Sequence, residues 1–359
     1  MKISGRTKPR GIALFIVMIA IFVLSVMAAI FAASMKVETR LAQNAQHEEQ
    51  LLWLGRSGVE LARYVLSQEA SIPYDSLNQI WAGGPGDITE SNSPLSSLSL
   101  DDYQVGDGTV AIKIIDLERK VNINTANPQM LQQALTLMGV DADDISTISD
   151  SIMDWIDTDD NPRLAGAESD FYQNQSPPYY AKNAPFDDLS ELLLVRGILD
   201  HPEIYWGGSG TNQEPAAFQQ QKLGFENSPF QAPDFPFGFK DLFTTISSGR
   251  ININTADTNV LQMIPGVDEA TAENIVKLRA GPDGEEGTAD DTPFANINQL
   301  VQADLNPQLV SELARVCTVR STDFEVHVTA KIGDYQREYI AILHRNSPTD
   351  IEVLRFYWR

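Results

Sequence analysis

"KPRGIALFIVMIAIFVLSVMAAIFAASMK", residues 8–36, decides how the rest of the chain is to be read. Lys2, Arg6, Lys8 and Arg10 lead up to Gly11, and no further charge occurs until Lys36. Ile12 to Ala33 is a run of 22 residues with neither charge nor proline. As a helix rising about 1.5 Å per residue it is long enough to cross about 30 Å of hydrocarbon. A cleaved secretory signal has a shorter apolar core followed by a small-residue site, which this segment lacks. The basic flank holds the N-terminal end in the cytoplasm, so the bulk of the chain is expected on the outer side.

That bulk is acidic. The 359 residues carry 26 Lys and Arg against 49 Asp and Glu, a net charge of −23, and the leading eleven residues hold four of the positive charges. Such a surface repels phosphate backbones and favours divalent cations or basic protein surfaces, so nucleic acid is not an expected partner. Cys317 is the one cysteine, which rules out an internal disulfide and suits a small core residue.

The helix does not end at the membrane. No proline occurs from Lys36 to Ser67, and two adjacent rows continue at 3-4 spacing. One is Leu51, Leu54, Gly58, Leu61 and Val65; the other is Leu52, Gly55, Val59, Ala62 and Leu66. One helix of more than fifty residues is expected, half in lipid and half on a soluble domain, ending before Pro73. "TVAIKIIDL" (109–117), "DFEVHVTAKI" (323–332), "YQREYIAIL" (335–343) and "IEVLRFYWR" (351–359) read as strands. Gly333-Asp334 and Pro348 mark the turns between the last three. One strand before residue 120 and three after 320 imply a sheet interrupted by a long, mostly helical insertion.

The insertion repeats itself. "VNINTANPQMLQ" (121–132) returns as "ININTADTNVLQ" (251–262) with seven of twelve positions identical. Each is a short extended piece whose Asn-Thr pair can cap a following helix, with Pro128 or Asp257 in its first turn. Gly139-Val140, Gly197-Ile198 and Gly266-Val267 follow apolar rows at equivalent spacing, each glycine able to end a helix in a left-handed conformation. These resemble helix-hairpin-helix units. DNA-binding versions carry a second glycine, where this chain has Asp141 and Asp268; a packing unit for protein contact is the favoured reading.

The basic leader ending in Gly11, followed by Ile12-Ala13-Leu14-Phe15, resembles the leader of type IV pilins and type II secretion pseudopilins. That family is cut after the glycine by a prepilin peptidase and methylated on the new N-terminal residue, which implies processing between Gly11 and Ile12. Most members carry glutamate at the fifth mature position, where this chain has Ile16. Its absence, with the inserted "NINTA" helical domain, resembles the K-type minor pseudopilins (general secretion pathway protein K). The fold class expected is α+β: a pilin-like long N-terminal helix on an antiparallel sheet, with a large helical insertion containing helix-hairpin-helix-like repeats. The division expected is a leader (1–11), a transmembrane part (12–33), a periplasmic helix and first pseudopilin part (34–120), an inserted domain (121–316) and C-terminal strands (317–359).

The resemblance implies a non-enzymatic subunit, N-terminus in the cytoplasm and bulk in the periplasm. It implies capping of a short pseudopilus, with I-type and J-type minor pseudopilins, the major pseudopilin fibre and an inner-membrane assembly platform as partners. Gly55, Gly58 and Ala62 are expected, with Ile16, to form the fibre-packing face. The alternatives are a type IV minor pilin, which calls for glutamate at position 16, a DNA receptor, which calls for a basic hairpin, and a receptor for secreted substrates. No nucleophile elbow, phosphate loop or dinucleotide fingerprint occurs, and His47, His201, His327 and His344 have no metal-ligand spacing.

Two acidic loops remain. In "DWIDTDDNPRLAGAESDFY", Asp157, Asp159, Asn161 and Glu168 fall at positions one, three, five and twelve of an EF-hand loop, but Pro162 replaces the turn glycine and no helix clearly follows. "GPDGEEGTADD" sets Asp283, Glu285, Asp290 and Asp291 among three glycines. Crowded carboxylates repel unless a cation neutralises them, and hard oxygen donors select Ca2+ over zinc; the alternative for each loop is a solvated acidic turn. The family resemblance also implies structural calcium in the inserted domain.

Overall fold

The computed structural model describes residues 11–86, 95, 99–207, 235–303 and 305–359. The leader before Gly11 and most of the stretches 83–99 and 207–238, whose sequence has little periodicity and reads as exposed spacer, lie outside the described residues. Helix α1, Gly11–Gln68, is continuous for 58 residues. From Leu14 to Ala42 every side chain is exposed, and the apolar run up to Ala33 is long and apolar enough to cross a membrane. Beyond Gln50 the same helix turns amphipathic, and Leu51, Leu54, Val59, Ala62, Val65 and Leu66 are buried. A 3-10 turn, Glu69–Ser71, ends it just before Pro73.

The buried face lies on a five-stranded antiparallel sheet of order β1-β2-β7-β8-β9. The strands are β1 Tyr103–Val105, β2 Gly108–Asp116, β7 Asp323–Ile332, β8 Tyr335–Ser347 and β9 Asp350–Trp358. Alternation puts Val110, Ile112 and Ile114 of β2 and Phe324, Val326, Val328 and Ala330 of β7 against the helix. Lys113, Glu325 and His327 face the other way. Ile332 pairs with Tyr335, leaving Gly333-Asp334 as a two-residue hairpin turn with Gly333 at φ 55°. The sequence pattern missed β1, which is too short to show alternation.

Gly55 and Gly58 explain how close helix and sheet come. A Cβ on Gly55 would lie 2.5 Å from the Tyr339 ring, and one on Gly58 would collide with Val328. Ala62 is fully buried in the same seam. This corrects the expectation that Gly55, Gly58 and Ala62 form a fibre-packing face, since their small size serves contact with the chain's own sheet. The outward face of this part of α1 carries Trp53 and Tyr64 instead, both exposed. Arg56 lies 5.2 Å over the Trp53 ring and Arg63 bonds Glu60 at 2.7 Å.

Between β2 and β7 the chain builds a second lobe with its own core. Two short parallel pairs frame it: β3 Val121–Asn122 with β4 Phe243–Thr244, and β5 Ile251–Asn252 with β6 Cys317–Thr318. After β3 come α2, Pro128–Met138, and α3, Ala142–Ile156; after β5 come helices Thr258–Gln262 and Glu269–Arg279. The repeat extends to its hydrogen bonds. Asn124 exchanges side-chain bonds with the backbone of Phe186 (2.7 and 3.0 Å), and Asn254 does the same with Phe294 (2.9 Å both). The helix caps are Asn127 and Asp257, each accepting from the residue three ahead at 2.9 Å. The Asn-Thr pairs expected to cap lie one turn too early, and Asp257 precedes the helix rather than entering it.

Gly139 and Gly266 adopt φ 84° and 88° at the two hairpins. The stretch ending in Gly197-Ile198, expected to match Gly266-Val267, is not an α-hairpin. Leu189–Leu194 is a 3-10 helix, and among the described residues between Gly197 and Gly207 there is a single helical turn, Glu203–Trp206.

Gly55→Ala is expected to lower the stability of the folded chain by about 1–3 kcal/mol through overpacking against Tyr339, read as a fall in the urea midpoint. Unchanged stability with loss of subunit association would restore the fibre-packing assignment.

Candidate metal centre

Helix α3 is capped at its C-terminal end by Asp157, and the chain from Asp157 to Glu168 loops out before one helical turn, Ser169–Tyr172. A helix does follow the loop, contrary to the sequence reading, though it is only four residues long. Asp157, Asp159 and Glu168 each offer an oxygen within 4.8 Å of the others. Among the described residues this is the one group of three carboxylate, thiol or imidazole ligands gathered so closely. Asn161 donates its backbone N–H and its side-chain amide to Asp159 Oδ1, at 2.9 and 2.8 Å. It therefore shapes the loop by holding Asp159.

Glu168 is the decisive residue. It is 3% exposed, and neither carboxylate oxygen has a hydrogen-bond partner; Asp157 Oδ1 is likewise unpartnered. Burial, then the charges of Asp154, Asp157, Asp160 and Asp159, push its pKa up to about 7. Arg163 is the local counter-charge, 3.2 Å from both Asp154 and Asp157. One guanidinium against five carboxylates leaves an anionic pocket, and a buried carboxylate without donors is stable only if protonated or bound to a cation. The donor set is all oxygen, which fits a hard divalent ion.

The walls are rigid. Gly166 lies so close to Asp154 that a Cβ there would collide with its carboxylate. Ala165 N–H donates to Asp150 at 3.1 Å and Arg196 donates to the Gly166 carbonyl at 3.0 Å. Asn183, which sequence spacing could not place here, holds φ 48° and donates to the Asp159 carbonyl at 2.8 Å. Its Oδ1 has no partner, making it a further candidate oxygen.

The second loop is arranged differently. Asp283, Asp290 and Asp291 converge on the single Thr288 hydroxyl at 3.0, 2.7 and 3.3 Å. Asp290 and Asp291 also accept the N–H groups of Asp283 and Gly287, at 3.1 and 2.8 Å. Hydrogen bonding from Thr288 holds the Asp290 carboxyl below its usual range. Glu285 donates its N–H to Asp283 at 2.8 Å, and Glu286, overlooked in the sequence, pairs with the buried Arg279. The one Thr288 hydrogen can serve only one of these carboxylates at a time, and backbone N–H groups hold the others; among the described residues this loop gathers no three carboxylates as closely as Asp157, Asp159 and Glu168.

At the nearby hairpin, Asp268 accepts the Thr271 N–H at 2.9 Å and caps helix Glu269–Arg279. Its carboxylate occupies the position a phosphate would need.

A cation at Asp157, Asp159 and Glu168 must displace the Glu168 proton, so affinity is expected to fall as pH drops through about 7, by up to about tenfold per unit. Terbium emission sensitised by Trp155, two residues before Asp157, reads this directly. Glu168→Gln should weaken binding and flatten the pH profile.

The family profile described as "Type II secretion system (T2SS), protein K" matches residues 110–204, and a helix-hairpin-helix profile matches 247–318. The type II secretion system protein K of Pseudomonas aeruginosa is 24% identical over 97% of this chain and 92% of its own length. That of Klebsiella pneumoniae is 27% identical over 53% of this chain and 59% of its own. Among solved structures, a chain of the GspK-GspI-GspJ complex from enterotoxigenic Escherichia coli superposes with a TM-score of 0.61 at 20% identity, covering 89% of this chain and 99% of that one. The fold is therefore shared with that chain, and along nearly its whole length the sequence is similar to a type II secretion system protein K.

Proposed function

We propose that the chain is a non-enzymatic minor pseudopilin that caps the tip of a short periplasmic fibre and helps to start its assembly for export of folded proteins. The observation that carries this reading is the single continuous helix, exposed and apolar over its first half and packed over its second, joined to a lobe inserted between β2 and β7. The first half anchors the subunit in the inner membrane, N-terminus in the cytoplasm, after a prepilin peptidase cuts between Gly11 and Ile12 and Ile12 is methylated. Within the bilayer a carboxylate is tolerable only when paired. With Ile16 at the fifth mature position, this chain has no such charge for a neighbour to neutralise, which suits a terminal subunit. The inserted lobe then obstructs a further subunit above it.

Contact with neighbouring helices passes to the outward side of α1, at Trp53 and Tyr64. The solved relative named above is in complex with GspI and GspJ, and I-type and J-type minor pseudopilins are the partners proposed here, with the major pseudopilin fibre and the assembly platform beyond them. Ca2+ at Asp157, Asp159 and Glu168 stabilises the inserted lobe by mass action on the folded state.

Copurification of the tagged full chain in detergent with I-type and J-type candidates, with and without chelator, tests the reading. Retention of both partners is expected, weakened about tenfold by Trp53→Ala if that ring is a hot spot, with stability unchanged. Retention of neither partner by the native chain would overturn the tip assignment.

A further inference from the structure

The two lobes meet at a buried polar seam that the proposed function leaves unused. Asp116 at the end of β2 accepts from Asn252 Nδ2 (3.0 Å), Thr255 Oγ1 (2.5 Å), Ser321 Oγ (2.7 Å) and the Glu118 N–H (2.8 Å). Asn252 Nδ2 also contacts Ser321 Oγ at 2.9 Å and the Asp75 carbonyl at 3.1 Å. Glu118, fully buried, accepts the Ser248 N–H at 3.2 Å and the Asp323 N–H at 3.1 Å, and its carbonyl accepts the Asn252 N–H at 2.8 Å. Helix-side segment, sheet and inserted lobe are thus tied at one place.

Counting hydrogens exposes a shortage. Thr322 Oγ1 lies 2.8 Å from Glu118 Oε1 and 2.9 Å from Asp323 Oδ2. A hydroxyl has one hydrogen to donate, so two carboxylates cannot both be served by it. One of the two carboxyls has to supply the second hydrogen. Asp323 also pairs with the imidazole of His344 at 2.7 Å, whereas Glu118, beyond its two backbone N–H donors, faces only the carboxylates of Asp116 and Asp323. We infer that Glu118 carries a proton in the folded chain, donating it to Thr322 while Thr322 donates to Asp323, and that this shared proton latches the segment after β2 to the head of β7, the two points where the inserted lobe leaves and rejoins the sheet.

The charges around it are consistent with that arrangement. Asp116 stands on its own segment, Asp323 at the head of β7, His344 and Arg345 on β8, and Asp75 beyond α1, where it pairs with Arg345. The inserted lobe contributes Ser248, Asn252 and Thr255, none of them charged; Arg250 turns instead to the carbonyls of Ala314 and Cys317. Burial, followed by the charges of Asp116 and Asp323, raises Glu118 to about 8, and burial raises Asp116 as well. In the unfolded chain Glu118 loses its proton near 4.5. Folding therefore takes up a proton between these values, and stability declines as pH rises from about 4.5 to about 8 and levels off above.

The test is urea denaturation of the full chain in detergent from about pH 6 to about pH 9.5, native against Glu118→Gln. Gln keeps a neutral donor toward Thr322, so the midpoint of the native chain should fall with pH while that of the variant falls less, the gap moving in the variant's favour. Parallel profiles overturn the inference. If Glu118→Gln does not fold, infrared spectra in the Glu168→Gln background decide. A protonated-carboxyl C=O band that disappears over this pH range supports the latch, and its absence throughout overturns it.

Discussion

The close approach of α1 to its sheet, permitted by Gly55 and Gly58, is the contact on which everything else rests. The first half of this helix is apolar and exposed and the second half amphipathic, so the second half needs a partner of its own. The sheet is that partner. Tyr339 and Val328 occupy the space that side chains at the two glycines would fill, so helix and strands interlock rather than lie side by side. A fixed helix in turn fixes the sheet edge from which the inserted lobe departs and to which it returns.

The insertion enters after β2 and leaves before β7, strands that are adjacent in the sheet. Its two ends are therefore close, and a lobe of nearly two hundred residues can be carried without disturbing the register between Asp116 and Phe324. Its internal repeat supplies two similar frames, each with an asparagine clasping a phenylalanine backbone across the fold. The frames hold different loops. In the first, buried Glu168 has no donors and waits on a cation or a proton; in the second, backbone N–H groups and the one Thr288 hydrogen hold carboxylates at the surface. Similar scaffolds and similar composition thus give unlike chemistry, because satisfaction of lone pairs depends on which donors the backbone presents.

Much of the fold was legible in the sequence because it rests on periodicity and punctuation. The charge-free run, the 3-4 rows of α1, the four long strands and the Gly333 turn are all local patterns. The repeat revealed the paired helices, yet not which asparagine caps and which reaches across the lobe, since Asn124 and Asn127 look alike until Phe186 arrives from sixty residues away. Gly55 and Gly58 marked a close contact without saying with what; a small residue reads the same against a sheet or a neighbouring subunit. Within the acidic loop, the spacing of Asp157, Asp159 and Glu168 was visible, while Asn183 and the seam of Asp116, Glu118 and Asn252 were not. Those groups meet only through tertiary folding, and no linear spacing records them.

The central claim is that this subunit ends a fibre instead of continuing one. The direct measurement is to tag the inserted lobe for electron-dense labelling and count label positions on isolated pseudopili by electron microscopy. The account predicts label at one end of each fibre and none along its length. Label repeated along the shaft would contradict it.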